Sequence, residues 1–131
     1  MEELRAYGDE IEGVTISGGE PFQQPAALFS LLHSIRSQSH LSVLLFTGYT
    51  QRELDVMPHS ADILGCIDVL IAGRYRSSMR SASNLIGSTN KCMSFLTDRY
   101  SITDFVGIPE AELWIGTDGR IKFSGIDPIA W

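Results

Sequence analysis

The sequence predicts an α/β fold with an open parallel sheet, and three observations support this prediction. Residues 13–17, 41–46 and 67–72 are short apolar segments typical of strands, and the stretches between them carry turn and helix patterns. The second and third segments are almost continuously apolar, as expected for strands that are covered on both faces. Strands that alternate with helices favour right-handed crossovers, which place successive strands parallel in one sheet.

Length and composition indicate a single domain over residues 1–131. The chain has 44% hydrophobic and 20% charged residues, a balance that excludes disordered and low-complexity classes. Its 16 acidic and 10 basic residues give a formal charge of −6, the wrong sign for a general nucleic-acid binder. The sequence shows no apolar run that could span a membrane and no signal-peptide pattern at its start. We therefore expect a cytoplasmic protein without a membrane partner.

The first half of the chain is predicted to contain two helices and a strand between them. Residues 2–7 are expected to form the last turns of a helix, and the β-branched segment at 13–17 a strand. A turn follows at Gly18 and Gly19. The next helix is expected to begin at Pro25, because the apolar residues beyond it recur with helical spacing. These residues are Leu28, Leu31, Leu32 and Ile35.

Two further strands and a short helix are predicted in the middle of the chain. The apolar run at 41–46 reads as a strand, and the run at 67–72 as the next one. Between them, Thr50 and Glu53 have the spacing of a capping box, which predicts a helix start. Pro58 interrupts this segment, so the helix is expected to be short.

The segment after the third strand is predicted to be a long ordered loop. Residues 73–89 are rich in Ser, Arg and Asn, and long loops in small domains are often functional. Three arginines in it, Arg74, Arg76 and Arg80, form a basic group. They either meet an acidic partner or a ligand carboxylate, or they remain solvated.

The C-terminal part is predicted to contain a short strand and an antiparallel hairpin. The strand is expected at 93–96. Residues 112–116 and 120–124 flank Asp118 and Gly119, a dipeptide that suits a tight hairpin turn.

The cysteines, the histidines and Asp68 are further candidates for functional residues. Cys66 and Cys92 are expected to be reduced, semi-buried thiols. Two isolated cysteines cannot complete a zinc or iron–sulfur site, and a disulfide is not expected in a cytosolic chain. The three histidines lack the spacing of a metal-binding or catalytic motif. Asp68 lies inside an apolar run. It either lines a pocket or makes a hydrogen bond at the start of the strand, as buried polar groups normally do.

Four segments, taken in order, resemble the radical S-adenosylmethionine (SAM) activating enzymes. They are GVTISGGEPF at 13–22, LFTGYT at 45–50, DVLIAGRY at 68–75 and LIGSTNK at 85–91. The chain is most similar to the activating proteins of anaerobic ribonucleoside-triphosphate reductase, and next to pyruvate formate-lyase activating enzymes. The resemblance runs from about residue 11 to residue 96, and the tail is similar to a hairpin that some members carry.

The resemblance implies a particular fold and a particular cofactor site. The fold would be a truncated partial (β/α)6 barrel, with a radical-SAM-like core at 8–96 and a hairpin extension at 110–126. Gly18, Gly19 and Glu20 match the motif that holds the amino group of the SAM methionine, an ammonium facing carbonyls and a carboxylate.

Two further positions match residues that lie near SAM in the family. Thr47, at the next strand end, corresponds to a position that lines the same pocket. Asn90 corresponds to a polar position on a later segment near the ligand. The alternative for both is that their side chains satisfy local backbone groups.

The family also binds a 4Fe–4S cluster through a CxxxCxxC motif, which this sequence lacks. The match begins in the middle of the family pattern, so we expect a member without its N-terminal cluster segment. In the family, the reduced cluster cleaves SAM, and a 5′-deoxyadenosyl radical then abstracts a hydrogen from a glycine of the partner enzyme. The resemblance is to an oxidoreductase, but for this chain we therefore expect no catalytic residue, no metal ligand and no activity.

Two alternatives stay open at this point. Beside the activase interpretation, one alternative is a non-catalytic remnant that binds a nucleoside or a protein, and the other is a different small radical SAM enzyme acting on a metabolite. Loss of a first strand would expose a hydrophobic sheet edge. We therefore expect either the hairpin tail or a second copy in a homodimer to cover that edge.

Overall fold

The computed structural model, which describes residues 1–81, 83–108 and 111–125, contains a four-stranded sheet with its helices packed on one face. The helices are α1 (Glu2–Tyr7), α2 (Pro25–Gln38), α3 (Gln51–Asp55) and α4 (Ser60–Leu64). The sheet strands are β1 (Gly13–Ile16), β2 (Ser42–Thr47), β3 (Val69–Ala72) and β6 (Cys92–Phe95). Two hairpins are formed by β4 (Arg80–Ser81) with β5 (Gly87–Ser88), and by β7 (Ala111–Ile115) with β8 (Ile121–Gly125).

The sheet is mixed, with the strand order β1–β2–β3–β6. β1, β2 and β3 are parallel, as their helical crossovers require, whereas β6 runs antiparallel to β3. The chain reaches β6 through the loop and the β4–β5 hairpin rather than through a crossover helix, so it returns in the opposite direction. The partial radical-SAM barrel stays a prediction.

The core lies between α2 and one face of the sheet. Leu28, Leu32 and Ile35 of α2 are buried, and on the facing strands Leu45 and Leu70 are fully buried. Burial of each such side chain contributes about 1.5–3 kcal/mol. Leu31, which was expected on the same apolar face of α2, is instead 42% exposed. The apolar face of the helix is therefore narrower than its leucine pattern predicts.

Asp68 fastens the amino-terminal ends of β2 and β3. Its carboxylate accepts hydrogen bonds from Val43 N (2.8 Å) and Thr97 Oγ1 (2.7 Å), and it pairs with Arg36 at 2.9 Å. Burial alone would raise the pKa of Asp68, but the hydrogen bonds from Thr97, Val43 and Arg36 hold this pKa below its usual value. Of its two interpretations, the strand-start hydrogen bond is the one observed.

The C-terminal hairpin does not extend the sheet at its β1 edge. β7 and β8 pair with each other in a two-stranded sheet of their own, around the expected turn at Asp118 and Gly119. In the part of the chain that the structure describes, no strand is hydrogen-bonded to the outer edge of β1. The homodimer expectation for this edge stays a prediction. Among the described helices, none has the length and apolar character that a membrane crossing needs.

Candidate functional site at the carboxyl edge of the sheet

Four chain segments meet at one edge of the sheet. β1, β2 and β3 all end there, and β6 begins there because it is antiparallel. In open sheets with parallel strands, this is the edge at which ligands bind. Gly73 N donates to Thr47 O at 3.1 Å, which continues the sheet pairing into the loops beyond β2 and β3.

The glycine pair after β1 forms an open turn. Gly18 and Gly19 have φ angles of +78° and +23°, a region that side-chain-bearing residues adopt at a cost. A Cβ built on either residue would meet no atom within 4 Å. Glycine is therefore required here by backbone conformation and not by crowding. Both residues are exposed, and their peptide groups make no hydrogen bond to another described residue.

Glu20 joins the ends of β1 and β2. Its Oε1 accepts from the Thr47 hydroxyl at 2.7 Å and from Phe22 N at 3.1 Å, and its Oε2 accepts from Gly48 N at 2.7 Å. An ionised carboxylate offers about four acceptor positions. Three are occupied by the protein itself, so the carboxylate is fixed in place with one position left.

Thr47 is buried and links Glu20 to the backbone that follows β2. Only 4% of the residue is exposed, and its hydroxyl donates to Glu20 while accepting from Tyr49 N at 3.2 Å. A Cβ on Gly48 would lie 3.3 Å from Glu20 Oε2, which leaves little room for a larger residue. The structure therefore brings four predicted site residues, Gly18, Gly19, Glu20 and Thr47, to one location, with the Thr47 hydroxyl engaged inside the protein.

Asn90 lies on the same edge but in a different groove. The first groove runs along the glycine turn and α2; it is lined by residues 16–21 and by Gln24, Ala27, Leu28 and Leu31. The second lies at the ends of β3 and β6 and is lined by Asn90 with Thr50, Gly73, Arg74 and Cys92, among others. The structure thus does not place Asn90 beside the glycine turn.

The side chain of Asn90 has one satisfied and one unsatisfied end. Its Nδ2 donates to the Arg74 carbonyl at 2.9 Å. Its Oδ1 is buried and has no hydrogen-bond partner among the described residues. A buried acceptor without a donor is unfavourable, so this atom is a position where a bound donor would add stability.

An ion pair that sequence analysis did not identify borders this second groove. Arg74 contacts both carboxylate oxygens of Glu53, at 2.8 and 2.9 Å. Hydrogen bonds from Arg74 and from the Thr50 backbone lower the pKa of Glu53 to about 2. The capping box of Thr50 and Glu53 is confirmed, but its spacing gave no sign that a residue 21 positions later would join it.

Comparison with known proteins identifies the family of the chain. Residues 1–94 match the family model described as "4Fe-4S single cluster domain", which is well over half of the sequence. The chain belongs to the 4Fe-4S single cluster domain family. The family relationship confirms the iron–sulfur part of the resemblance deduced from the sequence. No curated protein and no solved structure matches the chain.

The cysteines of this family member do not fit a 4Fe–4S cluster. Such a cluster is normally held by four thiolates, and this chain contains two. Cys66 precedes β3, whereas Cys92 pairs with Ala72 at the other end of that strand. The two thiols, of which Cys66 is half-buried and Cys92 exposed, therefore lie toward opposite ends of β3. The described residues also contain no group of three or more metal-ligating side chains.

Proposed function

We propose that this chain recognises the methionyl end of SAM at the glycine turn after β1. In this proposal it corresponds to the SAM-binding part of a radical SAM activase, whose partner would be a glycyl-radical enzyme such as anaerobic ribonucleotide reductase. Because its cysteines do not fit a cluster, we propose recognition of SAM by these residues and not its cleavage.

The observation that supports this proposal most is the position of the Glu20 carboxylate. Three protein donors hold it beside an exposed turn whose peptide groups make no hydrogen bond to another described residue. A fixed carboxylate with one free acceptor position, next to open carbonyls, suits an ammonium group. The α-amino group of a methionyl moiety is such an ammonium.

The groove beside the turn suits the rest of that moiety. Ala27, Leu28 and Leu31 of α2 line it together with the turn itself. Leu31 is 42% exposed although it is apolar. A ligand with an unbranched, partly apolar chain would cover this leucine and gain hydrophobic contact with it.

A pair of glycine variants tests the proposal by isothermal titration with SAM. Gly18 and Gly107 share a φ of +78°, and a Cβ on either would meet nothing within 4 Å. Gly18→Ala and Gly107→Ala therefore carry the same backbone strain, about 1–2 kcal/mol. We expect SAM to bind the unchanged protein and Gly107→Ala with similar affinity. Binding to Gly18→Ala is expected to be about tenfold weaker, since strain at the turn displaces its peptide groups.

Two results of the titration count against the proposal. Absence of SAM binding to the unchanged protein would show that the turn is structural. An equal loss of affinity in the two variants would show that the effect comes from general destabilisation. 5′-Methylthioadenosine, which lacks the amino-acid portion, serves as the ligand control and should be insensitive to Gly18→Ala.

A further inference from the structure

Positive charge is concentrated in one stretch of this acidic protein. Residues 69–97 contain four basic side chains and no acidic one, whereas the rest of the chain holds all 16 acidic residues and six basic ones. The four cations are Arg74, Arg76, Arg80 and Lys91. All four lie in residues 74–91, the segment between β3 and β6, so the charge asymmetry of the sequence places a positive region beyond the carboxyl end of β3.

Backbone hydrogen bonds connect the described residues of this segment. β4 and β5 pair as a short hairpin, and Thr89 N donates to Met79 O at 2.8 Å. Arg76 N lies 3.3 Å from the hydroxyl of Ser88, which is fully buried and anchors the hairpin. The side chains that the segment exposes are therefore presented from an ordered support, which lowers the entropic cost of binding.

The exposed side chains combine charge with apolar surface. Tyr75 is 54% exposed and Met79 38%. A Cβ built on Gly87 would lie 3.9 Å from both the Tyr75 ring and Lys91 Nζ, so these two groups border the same spot. We name the surface formed by Tyr75, Arg76, Met79, Gly87 and Lys91 the basic face. Tyr, Met and Arg are the residue types that protein interfaces favour.

The two cations of the basic face are available to a partner. Within the described residues, neither the Arg76 side chain nor the Lys91 side chain makes a hydrogen bond or an ion pair. Arg74, by contrast, is occupied by Glu53. Partial burial lowers the pKa of Lys91, because the ammonium loses hydration. A carboxylate brought next to it would compensate that loss.

We propose that the basic face binds an acidic polypeptide segment that also carries an apolar side chain. The cations would pair with carboxylates, and Tyr75 and Met79 would contact the apolar group. A nucleic acid is a poorer match, since it needs a longer run of cations and would be repelled by a protein of charge −6. This inference does not depend on SAM binding, and its test uses no SAM.

The test is fluorescence anisotropy of the full chain with a labelled peptide. The probe is a fluorescein-labelled peptide in which Asp and Glu surround one Leu and one Phe; a second peptide replaces each acid with Lys. We expect the acidic peptide alone to bind, and Arg76→Glu combined with Lys91→Glu to weaken binding at least about tenfold. The matched control is Arg5→Glu combined with Arg120→Glu, which changes the net charge equally and should retain binding.

The remaining measurements make each outcome decisive. Circular dichroism verifies that both double variants are folded, and Tyr75→Ala, which leaves the charge unchanged, should weaken binding as well. Absence of binding, or an equal loss in both double variants, would overturn the proposal. Tighter binding of a labelled DNA duplex that depends on Arg76 and Lys91 would instead assign the face to nucleic acid.

Discussion

At the scale of single residues, two carboxylates connect neighbouring strands at opposite ends of the sheet. Glu20 connects the carboxyl ends of β1 and β2, and Asp68 connects the amino-terminal ends of β2 and β3. Each accepts three or more donors. They differ in their surroundings, since Asp68 is buried with a cation and Glu20 borders a groove. One is therefore a structural group, and the other is the group we propose to face a ligand.

Asp68→Asn is expected to destabilise the protein by about 3 kcal/mol. This is the lower end of the range for breaking a buried ion pair, because Arg36 keeps 28% of its side chain exposed. The midpoint of urea unfolding should fall accordingly. Asp98→Asn, which removes an exposed carboxylate, should leave the midpoint nearly unchanged. A comparable effect of both substitutions would argue against the role of Asp68.

The same carboxylate determines part of the pH dependence of stability. The pKa of Asp68 is lowered in the folded protein, so its contribution is complete above the ordinary carboxyl pKa. That contribution is lost as the pH falls through the folded value. The free energy of unfolding should therefore fall less steeply on acidification in Asp68→Asn than in the unchanged protein.

Glu53 provides a residue-level test of the second groove. Its pKa of about 2 depends first on the hydrogen bonds from Arg74. In Arg74→Gln we expect the pKa of Glu53 to move up toward its usual range, as followed by carbon-detected NMR of the carboxyl group. Arg52→Gln, on the same short helix, removes a cation without a hydrogen bond to Glu53 and should leave the pKa low. An unchanged pKa in Arg74→Gln would show that the ion pair does not form.

At the scale of helices and strands, the sequence predicted the elements that have strong local patterns. It did not predict the features that depend on contacts between distant residues. The spacing after Pro25 predicted α2, and the Asp118–Gly119 turn predicted the β7–β8 hairpin. α4 was missed, because Pro58 argued against a helix and its start uses His59 in a left-handed conformation. The antiparallel direction of β6 was missed too, since a strand of four residues carries no signal of its direction.

In the candidate site, too, local features were predicted from the sequence and long-range contacts were not. The turn at Gly18 and Gly19 was predicted from composition, because backbone positions with positive φ angles favour glycine. Their role as site residues came from the resemblance. The junction of Glu20 with Thr47 spans 27 positions, and nothing local to either residue predicts that contact. Asn90 was expected near the glycine turn by resemblance alone. It lies instead in a separate groove, where its amide donates to the Arg74 carbonyl.

At the scale of the whole molecule, the two binding sites that we propose lie at one edge of the sheet. The glycine turn and its groove lie after β1, and the basic face lies beyond β3. In our proposals, one side of this edge holds a small cationic ligand and the other side meets an acidic polypeptide. The family has a cluster that the cysteines of this chain do not fit. Our proposed function therefore requires only that this edge of the sheet binds SAM, without a cluster.

An NMR titration of the full chain with SAM tests this central claim most directly. The account predicts that backbone amide resonances of Gly18, Gly19 and Gly48 shift as SAM is added. 5′-Methylthioadenosine, which has no amino-acid portion, should leave those three resonances in place. Shifts confined to other parts of the molecule, or no shifts with SAM, would contradict the claim that the turn after β1 grips the methionyl group.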